Sequence, residues 1–311
     1  MSEQETVTHG VVIRDQPVLD LSHLTSPEQL AAIRGIEDVA LVVVPESLAG
    51  AYAAIPVSDV ASTIYVPANA NVRVHTGSLA VGGDGIGGAD DVLIVIGMLV
   101  ITSQVASPLP QRIHVVGSVY APRGSEPLLG QALAGGTGAV SYYQHADGQD
   151  IKVLTGQVKL SGTMLANPAG TPDDMLLVAG QVAVTGEVTT VGYRHVIMAG
   201  QVAAPDASRD QIEPASQIQG QVGWYAGEPR VFFNDTHLNA DFFRLLDHRV
   251  GLVVFGDLTI APGVTETMLQ EKVAGITIFG SVTAPPELVG AVQVLATDVF
   301  GDIAASDEPG S

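Results

Sequence analysis

The repeat that decides the fold is clearest in the segment Val178-Ala179-Gly180-Gln181-Val182-Ala183-Val184. Apolar and small residues alternate on both sides of one glycine, and a glutamine follows the glycine directly. Alternation with a period of two is typical of a β-strand with one buried face. Because the same pattern recurs along the chain, an internal repeat is the main signal in this sequence.

A glycine marks each copy of the repeat. Most of these glycines follow one another at intervals of 20 to 24 residues, and two gaps are near twice that. We expect a degenerate copy near Gly136 in the first long gap and another near Phe233 in the second. The positions two and four residues after every glycine are apolar, and we assign Trp224, at one of them, to the core. The glycines are Gly77, Gly97, Gly117, Gly156, Gly180, Gly200, Gly220, Gly256, Gly280 and Gly301.

A unit of about 20 residues with short alternating strands predicts a parallel β-solenoid. Successive rungs, each one repeat long, then pair as parallel strands, and Val, Ile and Leu stack inside. A β-sandwich would not require a constant period, and a TIM barrel or Rossmann fold would require regular helices between the strands. We predict a mainly β chain that forms a single elongated solenoid over residues 36–305, with about 13 rungs and a length of roughly 60 Å.

Helical segments interrupt or precede this repeat. We expect the first nine residues to be disordered and a capping helix to run from Ser26 to about Ile33, so that residues 1–35 form a flexible N-terminus and a capping element. Residues 306–311 are predicted to form a disordered acidic tail. Helical insertions are expected at about Glu46–Ala54, within Asn239–Arg249 and within Thr265–Val273.

Four copies of the repeat carry glutamine directly after the glycine. If the rungs stack in register, these side chains lie ~4.8 Å from one another and form a hydrogen-bonded amide ladder on the outer surface. The four residues are Gln157, Gln181, Gln201 and Gln221.

The composition excludes several functional classes. The net charge is −20, from 33 acidic and 13 basic residues, so the surface repels phosphate backbones and anionic lipid head groups. There is no cysteine, which excludes disulfides, cysteine nucleophiles and cysteine-ligated metals. The N-terminus lacks the pattern of a signal peptide, and the longest apolar run, Val92–Ile101, is about half a membrane span. We therefore expect a cytoplasmic protein with no nucleic-acid partner and no membrane span.

Few motifs carry chemistry. The loop Gly82–Asp91 combines glycines with aspartates, as Ca²⁺-binding turns do; we favour a solvated loop and leave ion binding open. The eight histidines show no metal-ligand spacing. We predict no catalytic residue, no metal site and no cofactor. The enzyme class that such a fold favours, an acyltransferase with a catalytic histidine in a cleft between subunits, remains an alternative.

Two segments, Val178–Val188 and Gly156–Gly162, resemble bactofilins in their repeated Gly-polar-Val-x-Val units. Bactofilins are bacterial cytoskeletal proteins with a β-solenoid core, and they polymerise end to end without nucleotide. The resemblance implies a self-assembling solenoid in a bacterial cytoplasm. The strands that alternate with helices also resemble leucine-rich repeats.

These observations predict a non-enzymatic structural scaffold that assembles with itself. The alternatives are a monomeric platform that binds another protein and, third, a solenoid enzyme. An open solenoid end presents unpaired backbone groups that recruit other edges. We expect the helix near Ser26 to block the N-terminal end, so self-association should involve Val299, Phe300 and Ile303 at the C-terminal end and give a closed dimer.

Overall fold

The computed structural model describes residues 10–68, 70–106, 108–133, 138–145, 149 and 151–306. The predictions of disorder for residues 1–9 and for 307–311 fall outside these residues. The chain divides into two compact units, Met1–His145 and Ala146–Ser311, whereas the sequence predicted one solenoid domain. All strand pairs in the described residues are parallel, which confirms a mainly β chain built from parallel sheets.

The first unit begins with a three-stranded stack of order β1-β2-β3. Its elements are β1 (Val11–Asp20), α1 (Pro27–Leu30), β2 (Ile33–Pro45), a 3₁₀ turn (Glu46–Leu48), α2 (Ala49–Tyr52) and β3 (Val57–Val66). The strand β1 was not predicted. It pairs with β2 from Val11 to Asp20, so β1 forms the N-terminal edge of this stack, and the prediction that the helix near Ser26 covers that edge is wrong.

Aspartate takes the place of the repeat glycine in this first stack. Asp15, Asp38 and Asp59 have φ values of 55°, 53° and 54°. Aspartate is one of the few residues besides glycine that visits the left-handed region routinely. A repeat defined by glycine therefore does not include β1.

The second stack of the first unit has the order β4-β5-β6-β7. Its elements are β4 (Asn71–Val81), β5 (Asp91–Ile101), β6 (Arg112–Pro122), α3 (Glu126–Ala132) and β7 (Val140–Tyr143). Gly77, Gly97 and Gly117 pair in register. A Cβ on Gly138 would lie 1.6 Å from the carbonyl oxygen of Gly117, so the degenerate copy expected near Gly136 is present, with Gly138 as its glycine.

The second unit also contains two stacks. The third stack, of order β11-β10-β9-β8, holds β8 (Ile151–Ser161), α4 (Gly162–Leu165), β9 (Met175–Thr185), β10 (His195–Pro205), α5 (Arg209–Ile212) and β11 (Ser216–Tyr225). The fourth holds β12 (Glu228–Phe232), β13 (Thr236–Leu238), α6 (Ala240–Arg244), β14 (Val250–Val254), β15 (Asp257–Ile260), α7 (Glu266–Lys272), β16 (Val273–Ile278), β17 (Ser281–Ala284), α8 (Val289–Leu295), β18 (Ala296–Val299) and β19 (Asp302–Ala305).

The fourth stack contains two parallel sheets, β12-β14-β16-β18 and β13-β15-β17-β19. Each of its rungs contributes one strand to each sheet. Its last rung, made of β18 and β19, is called the C-terminal rung below.

The predicted helical insertions are present. The side chain of Asn239 accepts a hydrogen bond from the amide of Phe242 at the start of α6, at 3.1 Å. The Thr265 hydroxyl caps α7 in the same way. The described part of the chain holds no helix with the length and apolar character that a membrane span requires.

The parallel ladder does not run unbroken from residue 36 to residue 305. Among the described residues it ends after β3, after β7 and after β11. Within each unit, the chain enters the second of the two stacks through a short connection, 67–70 or 226–227, whereas the connections between successive rungs of one stack, such as 82–90 and 186–194, are longer. A link of two to four residues cannot carry the chain back to the start of a rung, so the chain begins a new stack.

In each unit the two stacks pack face to face. In the first unit, Val43 and Ile64 of the first stack meet Val92 and Ile94 of the second. In the second unit, β11 contacts three successive strands of the fourth stack, β14, β16 and β18, so the two sheets cross. Crossed sheets meet at corners where a strand leaves one sheet for the other, which explains why two residues suffice after β11. The predicted core residue Trp224 is 8% exposed and belongs to the interior of the third stack.

A tyrosine compensates for a proline in the third stack. In the register of β9 and β10, the N–H of residue 205 would donate to the carbonyl of Val184, but residue 205 is proline, which has no N–H. The hydroxyl of Tyr225, on the next rung, donates to that carbonyl at 2.7 Å. Burial raises the pKa of the Tyr225 hydroxyl, so it remains a donor. Sequence reasoning missed this contact.

The same arrangement recurs in the second stack. In the register of β5 and β6, the N–H of residue 122 would donate to the carbonyl of Ile101, but residue 122 is proline, and the hydroxyl of Tyr143 donates to that carbonyl instead. The two cases show that a buried carbonyl left without its ladder donor finds a side-chain donor instead.

Candidate functional site

The C-terminal rung ends a column of four stacked phenylalanines. Phe233 lies 5.0 Å from Phe255, which lies 4.8 Å from Phe279, which in turn lies 5.1 Å from Phe300, measured between ring centroids. The interplanar angles are 13°, 5° and 11°. Each phenylalanine precedes the repeat glycine of its rung, except that Asn234 follows Phe233. The degenerate copy predicted near Phe233 is thereby confirmed.

The two ends of this phenylalanine column differ. At Phe233, the Lys159 ammonium lies 5.8 Å from the ring centroid, within the distance of a cation–π contact. At the other end, Phe300 is 39% exposed. The column is therefore capped by a cation at one end and open to solvent at the other.

The residues predicted for self-association lie together in the C-terminal rung. Val299 is 47% exposed, beside Phe300, while Ile303 is partly buried against the core of the fourth stack. Both β18 and β19 pair with another strand on one side only in the described residues. The rung also carries the carboxylates of Asp298 and Asp302, and Asp298 accepts a hydrogen bond from the Trp224 amide at 2.8 Å.

The four predicted glutamines form a hydrogen-bonded ladder. The Nε2 atoms of Gln157, Gln181 and Gln201 each donate to Oε1 of the glutamine on the next rung, at 3.4, 3.4 and 3.2 Å. Gln157 also donates to Oδ1 of Asn234 in the fourth stack, at 3.2 Å. The ladder thus helps to join the two stacks, a role that the sequence did not predict.

A polar network missed by sequence reasoning lies at the first rung of the third stack. The buried carboxylate of Asp174 accepts hydrogen bonds from Asn167 Nδ2 at 3.0 Å and from the hydroxyl and amide of Thr171 at 2.6 and 3.0 Å. Lys152 Nζ lies 3.7 Å from Asp174 and donates to Asn167 Oδ1 at 2.7 Å. The network holds the connection between β8 and β9 against the first rung.

Acid should weaken this network. The hydrogen bonds from Thr171 and Asn167 lower the pKa of Asp174 from its ordinary 3.8 to about 2. A carboxylate with a lowered pKa in the folded state contributes stability that is present above pH ~4 and is lost as the pH falls towards 2. We expect the urea midpoint of the second unit to drop over this range, and Asp174→Asn to make the drop shallower.

The exposed neighbour Asp173 provides the control for this measurement. Its side chain is 74% exposed and, among the described residues, pairs with Arg194. Asp173→Asn should leave the acid profile close to that of the unmodified protein. If the urea midpoint of Asp174→Asn falls with pH as steeply as that of the unmodified protein, other carboxylates cause the acid sensitivity.

The loop Gly82–Asp91 is held by its own contacts. The Asp91 carboxylate accepts hydrogen bonds from Gly88 N and Asn71 Nδ2, both at 2.8 Å, and lies 3.5 Å from Arg73. These bonds lower the pKa of Asp91, the Gly88 amide most strongly. In the described part of the chain, no three His, Asp or Glu side chains form a group that could hold a metal ion.

One histidine has carboxylates on both ring nitrogens. His248 Nδ1 lies 2.6 Å from Asp247, and Nε2 lies 2.8 Å from Glu228. Glu228 also pairs with Arg230 at 2.5 Å. The four side chains form an exposed hydrogen-bonded cluster at the edge of the fourth stack.

Comparisons with protein-family models, with curated proteins and with solved structures gave no match to this chain.

Proposed function

We propose that this protein is a non-enzymatic structural protein that associates with itself through the C-terminal rung. The observation that carries the proposal is the open end of the phenylalanine column, where Phe300 and Val299 remain exposed beside two strand edges. Strand edges with unpaired N–H and C=O groups pair with other edges unless they are covered. Exposed aromatic faces add apolar area and a stacking geometry to such a contact.

The unequal ends of the column favour a closed pair over a filament. A head-to-tail chain would place Phe300 of one copy on Phe233 of the next, and Lys159 already covers Phe233. Two C-terminal rungs that meet about a two-fold axis place Phe300 against Phe300 and close the assembly. Asp302 and the net charge of −20 oppose this contact at low salt.

The test is the mass of the protein in solution, measured by light scattering at high protein concentration in about 0.5 M NaCl, where repulsion between acidic surfaces is screened. We expect a dimer for the unmodified protein and a monomer for Ile303→Lys, because that substitution places a charge in the C-terminal rung. Leu245→Lys is the matched control, since Leu245 is 85% exposed at the C-terminal end of α6, and it should remain dimeric.

Two results would contradict the proposal. A strictly monomeric unmodified protein would remove self-association. A dimer that survives Ile303→Lys would place the interface on another surface. Circular dichroism of each variant confirms that a change in mass does not reflect unfolding.

A further inference from the structure

An open cavity of about 340 Å³ lies at the first rung of the third stack. Its polar lining comes from Lys152 and Tyr193. This volume lies at the lower end of the range for small-molecule binding sites. Such sites are mostly apolar and contain a few polar groups that point towards the ligand. The remaining lining is apolar and comes from Val153, Leu154, Leu160, Met164 and Leu176.

The polar mouth of the cavity carries donors but little net charge. The Lys152 ammonium has Asp174 at 3.7 Å, and it lies 5.4 Å from the ring centroid of Tyr193. It makes one short hydrogen bond in the described residues, to Asn167 at 2.7 Å. An ammonium has three N–H donors, so this one can give a further hydrogen bond to a ligand while its charge is already balanced.

We propose that this cavity binds a small uncharged apolar molecule with one hydrogen-bond acceptor, such as an aliphatic methyl ketone. The carbonyl accepts a hydrogen bond from Lys152, and the alkyl chain contacts Leu154, Met164 and Leu176. A carboxylate of the same length is disfavoured, because it would share the ammonium with Asp174 and approach a chain of net charge −20. The charge balance at the mouth thus selects between two ligand classes that fill the cavity equally well.

The probes are heptan-2-one and hexanoate, titrated into the full chain labelled with ¹³C at the methionine methyl groups. Met164 is 46% exposed and lines the cavity, whereas Met268 lies on α7 in the fourth stack and reports non-specific effects. We expect a saturable shift of the Met164 signal with heptan-2-one, with an affinity at least ten-fold higher than for hexanoate, and no shift at Met268.

Two variants test the named contacts. Lys152→Met keeps the apolar stem and removes the donors, so it should weaken heptan-2-one at least five-fold. Leu154→Phe occupies the cavity and should abolish the Met164 shift, which gives a second test if Lys152→Met fails to fold. Equal affinity for the two probes, tighter binding of hexanoate, or no saturable shift at Met164 would overturn the proposal.

Discussion

Gly200→Ala should lower the free energy of unfolding of the second unit by about 2–6 kcal/mol. Gly200 has a φ of 108°, a region in which an alanine costs of order 1–3 kcal/mol. A Cβ there would also lie 2.4 Å from the carbonyl oxygen of Gly180. Relief of that overlap requires the rungs to separate, and overpacking of this kind costs about 1–3 kcal/mol more.

Gly156→Ala separates the cost of the backbone conformation from the cost of the overlap with the glycine of the preceding rung. Gly156 has a φ of 91°, but a Cβ on it would meet no atom within 4 Å, because Gly156 lies on the first rung of its stack. In this variant only the backbone strain should remain, so the free energy of unfolding should fall by about 1–3 kcal/mol. Urea unfolding followed by the fluorescence of Trp224, the single tryptophan, reports on this unit. Equal losses in the two variants would show that the contact between stacked glycines contributes nothing.

Tyr225→Phe should lower the same free energy of unfolding by about 1–3 kcal/mol, the cost of a buried polar group left without a partner. The ring remains, so packing changes little, and the carbonyl of Val184 loses the hydroxyl that replaces the missing N–H of Pro205. Tyr193→Phe is the control: Tyr193 belongs to the same unit, its side chain is partly buried against the core of the third stack, and the loss of its hydroxyl should change the free energy of unfolding little.

A double-mutant cycle tests the cause. Pro205→Ala restores an N–H at the position that faces Val184, so Tyr225→Phe should cost clearly less in that background. If the loss is the same with proline and with alanine at position 205, the hydroxyl does not act by replacing the N–H. Tyr143→Phe with Pro122→Ala repeats the experiment in the second stack.

The repeat could be predicted from the sequence because the glycine and the apolar residues recur at the same positions in each copy. In the third stack, Gly156, Gly180, Gly200 and Gly220 pair directly with one another, as their spacing predicts. The helical insertions were readable from their caps, such as Asn239. The strand β1 was missed because Asp15 replaces the glycine and Gln16 and Pro17 follow it. Asp38 and Asp59 replace the glycine too, but the segment Asp-Val-Ala that they share indicates a repeat over β2 and β3. The breaks between stacks were missed because periodicity measures distance along the chain and carries no information about the direction in which a short link such as 226–227 turns.

The self-association residues could be predicted from the sequence, whereas the polar network around Asp174 could not. Val299, Phe300 and Ile303 follow from the position of the last strand in the chain. Lys152, Asn167 and Asp174 belong to no motif, and only the fold of the loop between β8 and β9 brings them together. The compensation of proline by tyrosine did leave a signal, since each tyrosine follows its proline by about one repeat, Pro122 with Tyr143 and Pro205 with Tyr225.

The crossing of β11 over the fourth stack changes how the second unit loses its structure. A simple linear array of repeats unzips from its ends, because each repeat touches only its neighbours. Here the Trp224 amide is bonded to Asp298 in the C-terminal rung, and Gln157 of the first strand is bonded to Asn234 near the start of the fourth stack. Both ends of the third stack are thus hydrogen-bonded to a second array of repeats, the fourth stack, which lies across it. Fraying at either end must break contacts in both arrays at once, so we expect this repetitive sequence to melt in one step, as an ordinary globular domain does.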